Sequence, residues 1–525
     1  MIMISSALNL QKRHANPTGA TRSNSFWGLA TVVVALLILY SQLPLGTALQ
    51  FGGDEGYELI TGFLMSKGFL LYKQIWNDQP PLLVLWLSWA FKIWGPSLLA
   101  ARLLAAGFGL VLFGTFFQLV SQRAGRWSAF LAVFFLVASP AILELSVSVM
   151  QEVPTFGTAL VSALLLFRWC KGPHWGWLLA SGIVMGVALE IKLTAMLVVP
   201  AMLVEIALTG QAVHNQSRRK IAALNAVQWA MPVGITFAVI GLIWGGGSFQ
   251  SSYKSHFAEH PLYGMERPED FPLPVSVFFD HAECVVAAAA GVVFAVRQRR
   301  LREFAFPLVM FLTALGVHAV HRPWWMYYYL HLAIPMAWLA GYAVSEIIKT
   351  FTRLFSKTET PQARRAAPRE IAHPGLKLSS PKTWKGLVLC VFAALILVRS
   401  ERRLEAGVEN LQARIRADAD PVLAKMKEYA GRTRWVYVQY GNETYPFHAQ
   451  LPMPPEIAVV TLKRFWSDQI SIKEIVETCR RYQVEQLLLK RTQPGEDWNE
   501  LLQGYRVVYE GKDYVLYVAT RISPQ

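Results

Sequence analysis

The stretch Phe51-Gly52-Gly53-Asp54-Glu55-Gly56-Tyr57 follows directly on an apolar run at 27 to 47. A run of that length can cross the ~30 Å of hydrocarbon in a bilayer as a helix. It therefore predicts a membrane span and sets two adjacent carboxylates where the chain leaves the membrane. Glycines at 52, 53 and 56 let other backbone, or a ligand, come close. A carboxylate within hydrogen-bond reach of a hydroxyl or amine can take its proton as that group attacks. An acidic pair at a membrane mouth thus suits chemistry on a molecule that is lipid at one end and water-soluble at the other. An ordinary solvated acidic turn is the plain alternative.

The rest of the chain extends the membrane reading. Of 525 residues, 54% are hydrophobic and 16% charged, and apolar runs recur up to Arg399, which excludes a soluble multi-domain protein. The expected fold is a polytopic α-helical membrane protein. Spans are predicted at 27 to 47, 98 to 120, 127 to 145, 153 to 170, 175 to 190, 193 to 209, 225 to 246, 275 to 296, 304 to 320, 326 to 348 and 384 to 399, about eleven in all. The apolar segment 80 to 94 is short, opened by Pro80-Pro81 and closed by Gly95-Pro96. With this segment held at the surface or re-entrant, one face collects Arg123, Arg126, Arg168, Lys171, Arg218, Arg219, Lys220, Arg297, Arg299, Arg300 and Arg302. The positive-inside rule makes that face cytoplasmic. A full crossing would turn every later basic cluster outward. Topology also accounts for the net charge of +15, so nucleic acid is not an expected partner.

Sidedness then organises the chain. Residues 1–26, with Lys12, Arg13 and Arg22, form a cytoplasmic N-terminus before a retained signal anchor. Residues 27–349 are the main membrane region, with an outer loop at 48–97. The Pro/Arg-rich stretch 350–383 reads as a flexible cytoplasmic linker, and 384–399 as the last transmembrane helix. Residues 400–525 form a small extracytoplasmic α/β domain. Helical patterns are predicted at 402 to 430 and 470 to 483, and strands at 434 to 440, 456 to 461, 485 to 490, 505 to 510 and 513 to 519. The last two flank Gly511-Lys512 as a hairpin. Cys170, Cys284, Cys390 and Cys479 are too dispersed for a disulfide framework, which favours a bacterial inner membrane; the Asn442-Glu443-Thr444 sequon points weakly to a eukaryotic home.

The motifs around the acidic pair carry a family resemblance. Gly53-Asp54-Glu55 with Tyr57, then Trp76-Asn77-Asp78-Gln79-Pro80-Pro81-Leu82, then Ala101-Arg102-Leu103 resemble the C-type-fold (GT-C) glycosyltransferases. The likeness is to family 39: the dolichyl-phosphate-mannose protein mannosyltransferases and the related bacterial aminoarabinose transferases acting on lipid A. It extends to about residue 350. The resemblance implies an integral membrane enzyme moving a sugar from a polyprenyl-phosphate donor to a lipid, glycan or protein acceptor of the cell envelope, at the outer face. Asp54 would be the catalytic carboxylate, activating the acceptor for an inverting attack, with Glu55 in support and Tyr57 in the substrate site. A lipid phosphate is a good leaving group, so one base suffices, while cations should neutralise the departing charge. Lys192 and Arg322 are the candidates on that face, though each could equally be an interfacial anchor. Asp78 keeps the acidic place before the Pro-Pro pair, but Gln79 stands where the aminoarabinose branch has a lysine. That departure weakens the lipid A assignment. Glu152 occupies an acidic position expected at a helix entrance, to orient the acceptor or to complement the helix dipole.

No cofactor is required by this chemistry. A divalent metal, Mg or Mn, would draw on Asp54, Asp78, Glu152, Glu259 and His260, but their spacing forms no ligand motif. The run Trp324-Trp325-Met326-Tyr327-Tyr328-Tyr329, followed by His331, reads as an aromatic interface belt or as a sugar-stacking wall. The loop 248 to 274 resembles a lid. Two other classes remain: a transporter or flippase of lipid-linked sugars, which would place ionisable groups at the bilayer midplane on broken helices, and a non-catalytic envelope scaffold.

Overall fold

The computed structural model describes residues 19–210, 218–244, 246–253, 272–356, 381–439, 441–466, 468–491 and 496–523. The basic N-terminal residues Lys12 and Arg13, Glu259 and His260 of the 248 to 274 loop, and most of the 350–383 linker lie outside these.

Each predicted span falls on helical residues, although those at 127 to 145, 193 to 209 and 275 to 296 are each divided between two elements. The first, α1 (Gly19–Ser41), stops short of the predicted residue 47 because Pro44 lacks the N–H that another turn would use. Two helices of the outer loop follow, α2 (Glu55–Ser66) and α3 (Leu82–Trp94). At 13 residues and 1.5 Å per residue, α3 is ~20 Å long, short of the ~30 Å needed to cross. Next come α4 (Leu98–Ala124), α5 (Arg126–Val137) and α6 (Pro140–Leu145). The single span expected at 127 to 145 is thus broken, since Pro140 can begin a helix but cannot continue one. The series continues with α7 (Glu152–Lys171), α8 (Trp175–Leu189), a 3₁₀ turn Leu193–Val198 leading into α9 (Val199–Gly210), α10 (Arg218–Ile243), α11 (Gly247–Tyr253), α12 (Ser276–Asp280), α13 (Ala282–Arg297), α14 (Ala305–Val320) and α15 (Tyr329–Ser356). The helix α16 (Pro381–Gln412) carries the last predicted span on past residue 399.

Five helical stretches among the described residues are long and apolar enough to cross a membrane: Leu98–Ala124, Glu152–Lys171, Arg219–Ile243, Leu301–Val320 and Met326–Arg353. Their burial orders them. The apolar window of Met326–Arg353 is 94% buried and that of Arg219–Ile243 only 22%, so α15 is the centre of the bundle and α10 lies at its edge. In the bundle α15 packs on α5 and α13, and α7 packs on α4 and α8.

The tail is a small α/β unit. It contains α17 (Pro421–Glu428), β1 (Val436–Val438), α18 (Thr444–His448), α19 (Leu462–Trp466), α20 (Ile472–Arg481), β2 (Gln486–Lys490), α21 (Glu496–Leu502), β3 (Tyr505–Glu510) and β4 (Tyr514–Ala519). Its sheet runs β1-β2-β4-β3, with β1 parallel to β2 and the other pairs antiparallel. The Gly511-Lys512 hairpin is present as expected. So is the 470 to 483 helix, started by a capping box in which Ser471 and Glu474 exchange hydrogen bonds. The strand expected at 456 to 461 is absent: Pro454 and Pro455 open a 3₁₀ turn, Pro455–Ile457, and cannot donate to a ladder. The helix expected over 402 to 430 is interrupted between Gln412 and Pro421.

The distribution of core residues explains how the tail is held. One apolar cluster fills the helical bundle. A second joins Leu59, Phe63, Leu64, Leu87 and Phe91 of α2 and α3 to Phe447, Leu451, Val459 and Leu488 of the tail. The outer-loop helices therefore form a shelf between the bundle and the C-terminal domain. Phe447 stands edge-on to Phe63, ring centroids 6.0 Å apart, and 5.3 Å from Phe91.

Candidate active site

A cavity of about 590 Å³ opens where bundle, shelf and C-terminal domain meet. Its wall includes Asp54, Tyr57 and Glu58 from the start of α2, Asn77, Asp78 and Gln79 before α3, Gln151 and Glu152 at the start of α7, and Lys192 beyond α8. His318, His321, Trp325, Tyr327 and Tyr328 form the side toward α14 and α15, and Gly441, Val459, Thr461, Leu462 and Lys463 close it from the tail.

The acidic pair divides at this point. Asp54 is the residue before α2, half-buried at φ −93° and ψ 0°, and its side chain caps no helix N–H. The carboxylate is left facing the cavity at the positive end of a helix dipole. Glu55 is turned the other way and fully buried. Its oxygens accept from Arg102 Nε at 2.9 Å and Nη2 at 2.8 Å, and from the backbone N–H of Phe51 at 2.8 Å and Val149 at 3.2 Å. Arg102 also donates to the carbonyls of Leu45 and Ala48 and lies 4.0 Å over the Phe51 ring. Every lone pair of this bidentate ion pair is used in folding the loop. Glu55, expected in support of Asp54, is engaged in holding the loop that carries it. This is the structural content of the Ala-Arg-Leu motif.

The glycines around the pair have separate reasons. A Cβ on Gly52 would overlap Met150 Sδ and Ser148 Oγ, and one on Gly56 would lie 3.0 Å from the Thr444 backbone nitrogen. Gly52 thus lets the loop settle on the segment before α7, and Gly56 lets the C-terminal domain dock.

Opposite Asp54, Lys192 and Glu152 form a close ion pair, and the Lys192 ammonium sits 4.8 Å from the centroid of the Tyr327 ring. Burial works against the charge on Lys192, but Glu152 and Asp54 outweigh it, and its pKa is raised. Burial is also the main influence on Asp54, pushing its carboxyl above the usual range. Lys192 and Lys463 pull it back, while Glu152 and Asp78 add to the rise. Glu58, one turn along α2, accepts from Gln151 Nε2 at 2.8 Å and is pushed up to about 8, chiefly by burial. Asp78 faces Lys463 across the cavity at 3.3 Å. The Gln79 backbone N–H is held by Asn77 Oδ1 at 2.9 Å and its carbonyl by Tyr72 Oη at 2.7 Å. Tyr57 donates its hydroxyl to the Val460 carbonyl at 3.1 Å.

Of the residues singled out in the sequence, Asp54, Tyr57, Asp78, Gln79, Glu152 and Lys192 come together here. Arg322 does not: it follows the lining residue His321 but is exposed and outside the cavity wall. Sequence reasoning missed Glu58, whose i, i+4 spacing from Asp54 marks it for the same helix face. It also missed Lys463, which no motif in the tail announces. Among the described residues, no three His, Cys, Asp or Glu side chains converge as metal ligands. The lining carboxylates Asp78 and Glu152 are instead engaged with lysines.

Comparison with known proteins bears on this arrangement. Residues 78–244 match the family model of the dolichyl-phosphate-mannose-protein mannosyltransferases. No curated protein sequence matches the chain. The fold is similar to that of ArnT from Cupriavidus metallidurans bound to undecaprenyl phosphate, with a TM-score of 0.60 and 16% identity over 95% of this chain and 100% of that one. The apo state of the same protein gives 0.59, at 15% identity over 96% and 100%. The archaeal oligosaccharyltransferase AglB from Archaeoglobus fulgidus, in complex with an inhibitory peptide and a dolichol-phosphate, gives 0.52 at 11% identity, over 89% of this chain and 70% of that one. Over residues 78–244 the chain is thus similar to the dolichyl-phosphate-mannose-protein mannosyltransferases, and its fold as a whole is similar to that of ArnT and AglB.

Proposed function

We propose that the chain is an inverting glycosyltransferase that moves one sugar from a polyprenyl-phosphate donor to a lipid, glycan or protein of the cell envelope. The observation that carries this reading is Asp54: a half-buried carboxylate that caps no helix N–H and faces a cavity whose wall also holds Lys192, ion-paired with Glu152. The undecaprenyl phosphate bound to ArnT and the dolichol-phosphate bound to AglB support a lipid-phosphate donor.

In the proposed reaction the acceptor hydroxyl or amine hydrogen-bonds to Asp54. As its oxygen or nitrogen attacks the anomeric carbon, its proton passes to the Asp54 carboxylate. The bond from that carbon to the phosphate oxygen breaks, and the polyprenyl phosphate leaves with the electron pair. Lys192 offsets the negative charge that develops on it. Burial raises the Asp54 pKa, which makes its carboxylate a better proton acceptor, and Lys192 acts in the opposite direction. Tyr57 and Glu152 shape the acceptor side, and Asp78 and Gln79 the donor side. The distribution of basic loops supports a cytoplasmic N-terminus and an extracytoplasmic C-terminal domain, and the dispersed cysteines support a bacterial inner membrane. With that orientation the cavity lies at the outer face.

Purified protein given a polyprenyl-phosphate sugar and envelope extract should release polyprenyl phosphate and yield a product of inverted anomeric configuration. A product of retained configuration, read by NMR, would contradict the single-base displacement.

A further inference from the structure

We infer that Lys463, carried by the C-terminal domain, binds the phosphate of the lipid-linked donor, so that the site is assembled from two parts of the chain. The inference rests on the proposed donor chemistry and adds a residue that no motif of the membrane region contains.

Charge comes first. Among the described residues lining the cavity, the carboxylates are Asp54, Glu58, Asp78 and Glu152, and the side chains carrying a fixed positive charge are Lys192 and Lys463. A phosphodiester brings further negative charge and needs more than one cation nearby. Lys192 is already held closely by Glu152, and position 79, which faces the same space, is an uncharged glutamine. Lys463 is the second such cation on the described wall, and it comes from a different part of the chain. Its ammonium lies 3.3 Å from Asp78 Oδ2, and the side chain retains 28% of its exposure. A long, flexible stem lets such an ammonium turn from the carboxylate to an incoming phosphate.

Position comes second. The backbone that carries Lys463 is fixed by its neighbours. The next residue, Arg464, is buried, donates to the carbonyls of Glu456 at 3.0 Å and Val459 at 2.7 Å, and stacks 4.8 Å over Trp76. Trp76 in turn donates its indole N–H to Gln469 Oε1 at 2.8 Å. These contacts clamp the 459 to 469 segment to the loop that carries Asp78. The domain thus presents Lys463 to the same cavity that Lys192 lines, and both lysines act on the Asp54 carboxylate.

The test is direct binding by the full-length protein of decaprenyl phosphate and, as control, decaprenol. Wild type should prefer the phosphate. Lys463→Met should weaken phosphate binding by about tenfold or more, leave the alcohol unaffected, and be restored by Lys463→Arg or by adding Gln79→Lys to the Lys463→Met protein. Undiminished phosphate binding by Lys463→Met, with wild type binding well, would overturn the role of Lys463 and leave the donor reading standing. A loss that neither restoring change repairs would make Lys463 architectural and overturn it equally. Wild type that fails to distinguish phosphate from alcohol would defeat the donor reading, and this inference with it.

Discussion

At the scale of single residues, three neighbouring carboxylates of one chemical type have three fates, each set by what surrounds it. Asp54 faces the cavity, Glu55 is consumed by Arg102, and Glu58 is buried beside Gln151. Removing one partner from a buried ion pair leaves the other uncompensated, at a cost of about 3–5 kcal/mol. Glu55→Gln should therefore lower the melting temperature in detergent sharply, and a Glu55→Gln protein that melts like wild type would contradict the structural role. Glu58 gives a pH signature. Its folded pKa of about 8 lies above the ordinary 4.5, so across that window the unfolded chain releases a proton that the folded chain keeps. Its contribution to stability is present at acid pH and fades as pH rises toward 8, by at most about 1.4 kcal/mol per pH unit. Glu58→Gln should gain on wild type in melting temperature between about pH 5 and about pH 8.5; a constant difference would refute the assignment. Asp54 was legible in the sequence because it abuts an apolar run and sits among glycines. The pairing that occupies Glu55 was not, since it depends on Arg102, 47 positions away.

At the scale of elements, helix α2 is the hinge of the account. It carries Asp54 at its start, Glu58 one turn later, and on its far side Phe63 against Phe447 of the C-terminal domain. Gly56 is a point of close approach between the two parts, with the Thr444 nitrogen 3.0 Å and Glu443 Cβ 3.1 Å from where a Cβ would stand. Gly56→Val should push the domain off the shelf. The expected result is faster proteolysis between α16 and β1 and a fall in transfer of about tenfold or more, since displacement by ~1 Å is enough to spoil alignment. Unchanged proteolysis and transfer would show that the docking does not shape the site. Helix positions were readable because long apolar runs admit few alternatives. Breaks at Pro44 and Pro140 were underweighted, and the apolar run before Thr461 looked like a strand until its prolines were counted. Lys463 could not be read at all, because its importance comes from a fold that brings it to Asp78 across 385 positions.

At the scale of the whole molecule, the composition announced a membrane protein, and the structure adds that its polar tail is part of the cavity rather than an appendage. Bundle, shelf and domain each contribute one wall, and two apolar cores hold them together. Such a site can enclose the headgroup of a lipid-linked sugar while its tail remains in the bilayer. The central claim is that Asp54 takes the acceptor proton in that enclosure. Its most direct test is the rate of sugar transfer by Asp54→Asn, measured beside donor binding by the same preparation. The account predicts a loss of about 10²–10⁴-fold in turnover with donor binding and melting temperature retained. Transfer at the wild-type rate by a folded, donor-binding Asp54→Asn protein would contradict it.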